Sequence, residues 1–241
     1  MNAEPNPLSD ADYRQELTLL STEIDNVGII YHTHEELNRL ALEDEATRDV
    51  LNVDALFWLA HQHSLQATMF ITLGRVFDPD DQNYSIHRLV NASLGNIALF
   101  SREALERRKL EVNPGGRPSW LDDYLNRSWY PAAASDLRHL KKSLAPYKKR
   151  FDEIYRPIRH TIAHRMMTDY QAGQQYFGRT NRQEVGDLID LLSDLVGVLT
   201  QLYWNGCRPT LGDRNFADQN QRIRNGVQSV VQKVIRGRQQ A

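Results

Sequence analysis

The spacing of the apolar residues is the feature that most constrains how this chain can fold. Near the N-terminus they recur at alternating intervals of four and three, which places them in one stripe along a helix: Tyr13, Leu17, Leu20, Ile24, Val27 and Tyr31. No run of alternating β-branched residues bounded by turns occurs anywhere in the sequence. The pattern therefore predicts an all-α fold, a bundle of long antiparallel helices.

Turn residues and prolines divide this helical pattern. Asp78–Asn83 and Asn113–Pro118 are the strongest breaks, 168–182 reads as a polar loop, and Pro146 and Pro157 should kink or restart a helix. Helices are predicted over about 9–47, 50–77, 85–109, 135–167, 185–206 and 217–235, and Ser119 should cap a further short helix. Ser9 and Ser85 are the predicted N-caps of the first and third helices, and Gly206 should end the helix that begins at 185. The predicted buried face of the second helix is Leu56, Leu59, Ala60, His63, Ala67, Phe70, Ile71 and Gly74.

Charge is unevenly distributed along the 241 residues. Residues 1–54 contain 13 acidic and 3 basic residues, whereas 55–241 contain 18 acidic and 26 basic ones. Such asymmetry indicates contact with nucleic acid or an acidic arm over a basic surface, and its simpler alternative is a set of solvated helix faces. We divide the chain into an acidic N-terminal helix (1–48), a helical domain (49–206) and a basic C-terminal helix (207–241) in the same globule.

Several functional classes are excluded by what the sequence lacks. The single cysteine, Cys207, rules out a disulfide within the chain and a Cys-based zinc cluster. No apolar run approaches the roughly 18 residues of a membrane span, and residues 1–12 have no signal-peptide pattern, so we expect a cytoplasmic protein without a membrane partner. The chain also has no phosphate-binding glycine loop and no Gly-x-Ser-x-Gly elbow.

Histidine pairs offer little for metal binding. His32/His34 and His61/His63 are two residues apart, which places each pair on opposite sides of a helix. His160 and His164 are four apart and could chelate one ion, but the intervening Glu of the zinc protease motif is missing and no third ligand is evident. We predict no metal and no cofactor, with a metal-binding bundle as a third hypothesis.

The segment from Arg156 to Arg165 contains the candidate site. At about 100° per residue, two arginines and two histidines fall within an arc of about 140° around the helix: Arg156, Arg159, His160 and His164. The opposite side carries an apolar stripe of Ile154, Ile158 and Ile162, together with Tyr155. Arginine binds phosphate oxygens bidentately and histidine moves a proton near neutral pH, so this arc suits a phosphodiester. The alternative is an ordinary polar helix face.

This segment resembles the HEPN superfamily motif: an arginine (Arg159), a polar residue (His160), a few more residues and a histidine (His164). The Ala-His-Arg ending at Arg165 is similar to the AbiU-type abortive-infection branch, as are Leu56-Phe57-Trp58, 73–78 and 85–89. The similarity covers about residues 50–200. This chain differs from the motif in having Pro157 two residues before Arg159.

The resemblance implies an all-α homodimer whose two motifs face one cleft, acting as a metal-independent endoribonuclease in phage defence or a toxin–antitoxin pair. In such an enzyme His164 would be the general acid or base, Arg159 would stabilise charge on the phosphate, and His160 would assist. Arg156 and Arg165 would hold the RNA. A cognate antitoxin would be a further partner. The rival hypothesis is a non-catalytic HEPN-like scaffold, which the net charge of −2 favours because unspecific RNA binders are usually basic.

Overall fold

The computed structural model describes residues 8–78, 84–158, 181–212 and 216–239. Within these ranges every regular element is helical and no strand occurs, so the predicted all-α bundle is confirmed. In the same ranges no helix has the length and apolar character needed to cross a membrane. The α-helices are α1 (Asp10–Glu43), α2 (Glu45–Val53), α3 (Ala55–Val76), α4 (Ile86–Gly95), α5 (Arg102–Glu111), α6 (Leu121–Ser128), α7 (Ala134–Ser143), α8 (Ala145–Arg150), α9 (Arg182–Asn205) and α10 (Ala217–Gln239).

Two predicted N-caps and one terminator are confirmed. Ser9 Oγ accepts a hydrogen bond from the Asp12 amide at 3.2 Å, and Ser85 Oγ accepts one from the Arg88 amide at 3.3 Å. Each bond satisfies one of the amides that a helix leaves unpaired in its first turn. Gly206 ends α9 with a φ of +66°, a conformation that a side chain would disfavour.

Other predicted boundaries were wrong because polar side chains restart helices inside the apolar pattern. The first predicted helix ends at Glu43, since Asp44 accepts from the Thr47 amide at 3.1 Å and begins α2. The predicted helix over 85–109 is also two helices, joined by a 3-10 turn at Ile97–Phe100, with Ser101 accepting from the Ala104 amide at 3.1 Å. The cap predicted at Ser119 is wrong too: α6 follows Trp120 without a side-chain cap.

The chain forms two compact units. The first consists of Met1–Thr22, Arg75–Phe151 and Leu191–Arg214, and its core includes Tyr13, Leu17, Phe77, Leu89, Phe100, Leu137, Leu199 and Tyr203. A fully buried guanidinium, that of Arg108, lies in this core 3.0 Å from Asp10 Oδ1 and 3.9 Å from the centre of the Tyr203 ring. Burial lowers the pKa of Arg108, whereas Tyr203 and Asp10 oppose that shift by favouring the cation.

The second unit consists of Glu23–Gly74, Asp152–Asp190 and Asn215–Ala241. Its buried cluster joins α1 and α2 to the C-terminal helix α10 through Leu37, Val50, Val231 and Ile235. Val231 and Ile235 of α10 are therefore part of a core, whereas Val230 is exposed. The domain division at residues 48 and 206 stays a prediction.

The predicted buried face of α3 is right only in its C-terminal half. Phe70 is buried, but Leu56 is 85% exposed and Leu59 is 58% exposed. The prediction assumed that one stripe is covered along the whole helix, whereas Met69 is the first buried residue of α3. In the N-terminal half the residues that pack against a buried cluster are Trp58 and Leu65, which are not on the predicted face.

Candidate functional site

Most of the predicted motif lies outside the described residues. This applies to Arg159, His160, His164 and Arg165, whose roles stay predictions. Arg156 is described: its side chain is half exposed and lies 3.0 Å from Asp152 Oδ1 in an ion pair one turn earlier. That position leaves it at the surface, and its role in RNA binding also stays a prediction.

The described start of the motif segment has the predicted faces. Ile154, Tyr155 and Ile158 are buried, and Arg156 is exposed. Residues four apart lie on one side of a helix, so the two buried isoleucines share a face and the exposed Arg156 between them lies off it. The cationic arc beyond Ile158 stays a prediction.

Both prolines coincide with a change in the helix. Pro146 is the second residue of α8, where its missing N–H costs nothing, so the predicted restart is confirmed there. Before Pro157 the backbone takes a π-helical form over Phe151–Tyr155 and then returns to α-helix. This wider turn marks the interruption predicted at Pro157, and π-helical turns are frequent near functional sites.

A pocket of about 190 Å³ lies beside this segment, within the same compact unit. Phe70 is in its wall, and the centre of the Phe70 ring is 5.8 Å from that of the Tyr155 ring. Polar groups from α1, α3 and α9 also line it: Tyr31, His34, Glu35, Asn38, Gln66 and Arg182. Convergent polar groups in a concave site are typical of ligand binding.

Glu35 is at the centre of the polar contacts in this pocket. Its Oε1 lies 3.4 Å from His34 Nδ1 and 3.8 Å from Arg182 Nε. The interaction with His34 lowers the pKa of Glu35; burial opposes that shift, and the Arg182 charge adds to it. Asn38 Nδ2 donates to the His34 carbonyl at 2.9 Å and is 3.1 Å from His34 Nδ1. The pocket thus holds an ionised carboxylate.

Tyr31 connects this part of α1 to the start of α9. Its hydroxyl donates to the Arg182 carbonyl at 3.0 Å, and burial raises the pKa of the phenol to about 12. The close approach depends on Gly186, where an added Cβ would lie 2.7 Å from the Tyr31 hydroxyl oxygen. Tyr31 therefore holds Arg182 at the pocket.

Sequence reasoning missed this pocket. A signal was present, because Tyr31, His34, Glu35 and Asn38 have the 0, 3, 4, 7 spacing of one helix face. The sequence pattern drew attention to His32 and His34 only as a metal-chelating pair. It had no means of pairing that face with Arg182, which lies about 150 residues further along the chain.

Metal ligation has no candidate cluster in the described ranges. There, no group of three or more His, Cys, Asp or Glu side chains could hold an ion. The His160/His164 pair lies outside these residues.

Comparison with protein families gives one match, the HEPN_AbiU2 family model, described as AbiU2, over residues 10–226. The chain belongs to the AbiU2 family. The match includes α1 and the first part of α10, so it is longer than the resemblance over about 50–200 that the sequence motifs indicated. No curated protein and no solved structure matches the chain. Family membership makes it an abortive-infection, HEPN-like protein.

Proposed function

We propose that this AbiU2-family protein is a cytoplasmic, metal-independent endoribonuclease of a bacterial phage-defence or toxin–antitoxin system. The observation that carries the proposal is the family match over residues 10–226, because that range contains the Arg159–His164 motif. The exposed Arg156 beside the buried Ile154 and Ile158 supports it, since one side of the segment is held by the core and the other carries a cation at the surface.

In the proposed mechanism the RNA 2′-oxygen attacks the adjacent phosphorus, and the bond to the 5′-oxygen breaks. The products are a 2′,3′-cyclic phosphate and a free 5′-hydroxyl. His164 moves the proton as general base or acid, and Arg159 stabilises the charge that develops on the phosphate oxygens. His160 assists His164, and Arg156 and Arg165 bind the RNA backbone.

The proposed active form is a homodimer in which Arg159 and His164 of both copies face one cleft. A two-fold interface brings identical residues together, so one motif on each chain gives a paired site. Uncovered apolar residues on α3 support self-association: Leu56 is 85% exposed and Phe57 is 64% exposed. A cognate antitoxin is the second proposed partner.

A non-catalytic HEPN-like scaffold is the competing function. It is favoured by the net charge of −2, because proteins that bind RNA without sequence preference are usually basic. The two functions differ in whether RNA is cut.

The test is RNA cleavage by the purified protein with and without a chelator, followed by end-group analysis. Cleavage that persists with chelator and leaves cyclic phosphate ends supports the nuclease, and RNA substituted at the 2′ position should resist. Loss of cleavage on chelation would point to a metal enzyme. Intact RNA under all conditions would favour the scaffold.

A further inference from the structure

The pocket beside Tyr155 has the size of a small planar ligand. Its volume is about 190 Å³, which is roughly the volume that six water molecules occupy in the liquid, at about 30 Å³ each. Pockets for drug-sized molecules begin at about 300 Å³. A single heterocyclic ring system fits a volume of this size.

The walls combine the two kinds of group that recognise an unpaired base. Tyr31 and Phe70 contribute aromatic rings, and Asn38 and Gln66 contribute amides. Sequence-specific RNA recognition stacks splayed bases on aromatic side chains and hydrogen-bonds their edges. An amide presents a donor and an acceptor together, which matches a base edge.

The hydrogen-bonding capacity of the pocket favours a donor on the ligand. Across the described ranges, no hydrogen bond engages the Gln66 amide or Asn38 Oδ1, since Asn38 Nδ2 is the atom that contacts His34. Glu35 Oε1 has only the long contacts to His34 and Arg182. An exocyclic amino group has two N–H bonds and can donate one to Glu35 and one to Asn38, while Gln66 donates to the adjacent ring nitrogen.

The position of the pocket connects it to the motif. Phe70 packs against Tyr155, and Arg156 is the next residue on the segment that continues into Arg159. Arg182, whose side chain is 60% exposed, adds a cation that can bind a phosphate. A nucleotide with its base in the pocket would therefore have a phosphate within reach of Arg182.

We propose that this pocket binds one nucleobase of single-stranded RNA that bears an exocyclic amino group, and so selects the RNA bound at the motif. The proposal rests on the proposed ribonuclease function. Uracil should be rejected, because it presents a carbonyl oxygen where adenine and cytosine present the amino group, and that oxygen would face the Glu35 carboxylate.

The experiment measures binding of short 2′-O-methyl oligonucleotides of A, C or U to the full-length protein by fluorescence anisotropy. These probes cannot be cut by 2′-hydroxyl attack, so binding is separated from cleavage. We expect oligo(A) and oligo(C) to bind about tenfold more tightly than oligo(U), a difference of roughly 1.4 kcal/mol. Gln66→Ala and Asn38→Ala should each weaken oligo(A) binding about tenfold. Glu35→Gln should reduce the preference over oligo(U).

Gln232→Ala is the matched control, since Gln232 is an exposed glutamine in the same unit and does not line the pocket. Circular dichroism melts check that each variant is folded. Equal affinities of the Gln66→Ala and Gln232→Ala proteins, or no binding of any oligonucleotide, would overturn the pocket proposal even if the protein cuts RNA. Pocket-dependent binding without cleavage of unmodified RNA would support the pocket and overturn the nuclease.

Discussion

At the residue scale, two helical glycines have opposite surroundings. A Cβ at Gly226 meets nothing within 4 Å, whereas a Cβ at Gly186 lies 2.7 Å from the Tyr31 hydroxyl oxygen. Gly226→Ala should stabilise the protein by about 0.5–1 kcal/mol, because glycine in a helix loses more entropy on folding. Gly186→Ala should have the same favourable entropic effect, but its Cβ must displace the Tyr31 hydroxyl from the Arg182 carbonyl. That displacement loses a hydrogen bond worth about 1 kcal/mol. Urea unfolding should therefore show stabilisation for Gly226→Ala alone. Equal stabilisation by both would mean that Tyr31 is not held there.

The motif itself is tested by separating catalysis from stability. His164→Ala should reduce cleavage by roughly 10²–10⁴-fold if His164 is the general acid or base. The predicted surface arc implies a change in unfolding free energy within about 0.5 kcal/mol. Ile162→Ala, on the predicted buried stripe, should cost about 2–5 kcal/mol and lower activity only through unfolding.

Ile158, which is buried one turn before Ile162, gives a matched control in the described structure. Ile158→Ala should destabilise by about the same 2–5 kcal/mol. If His164→Ala lowers the melting temperature as much as Ile158→Ala does, His164 is a core histidine and the scaffold function is favoured.

At the element scale, α1 contains a histidine whose burial makes folding sensitive to acid. Burial lowers the pKa of His32, and the Arg224 charge adds to that shift while Glu35 opposes it. As the pH falls, His32 is protonated first in the unfolded chain, near pH 6.5. The contribution of His32 to the free energy of unfolding is therefore present above that pH and is lost as the pH falls below it. Urea melts between about pH 7.5 and 5.5 should show this loss, and His32→Gln should reduce it. An unchanged pH slope in the variant would show that other groups cause it.

At the same scale, the predicted helix boundaries were wrong where a polar side chain interrupts the apolar spacing. Apolar spacing continues across Asp44 and across Asn96, so periodicity alone predicts uninterrupted helices there. The breaks depend on whether the side chains of Asp44 and Ser101 accept a hydrogen bond from the amide three residues ahead. Asp and Ser occur both as caps and on helix surfaces, so their identity does not decide between the two.

At the scale of the whole molecule, the uncharged stretch of α3 predicts self-association. No Asp, Glu, Lys or Arg occurs from Ala55 to Gly74, and Leu56, Phe57 and Leu59 are exposed. Light scattering should give twice the chain mass of 27.9 kDa, because burying these side chains in a second copy removes apolar surface from water.

Phe57→Glu should shift the protein toward the monomer, and Val112→Glu, at an exposed valine after α5, should not. A monomer at all concentrations for the unmodified protein would contradict the proposed dimer. Dimerisation unaffected by Phe57→Glu would place the interface elsewhere.

The sequence by itself determined the all-α class and the inner side of α1 and α9. Tyr13, Leu17, Leu20, Ile24 and Val27 are all buried as their spacing predicts, because a 3.6-residue period is a local property of the chain. It also provided the Arg159–His164 motif, which is a matter of residue identity and order.

Only the tertiary structure decided which stretches of those helices are covered and which distant side chains meet. Leu56 and Leu59 satisfy the spacing rule and are nevertheless exposed, because this half of α3 packs against the Leu37, Val50, Val231 and Ile235 cluster through Trp58 and Leu65 instead. Glu35 and Arg182 line one pocket although they are far apart in the chain. Periodicity constrains a residue relative to its own helix, whereas contacts between helices depend on how the whole chain packs.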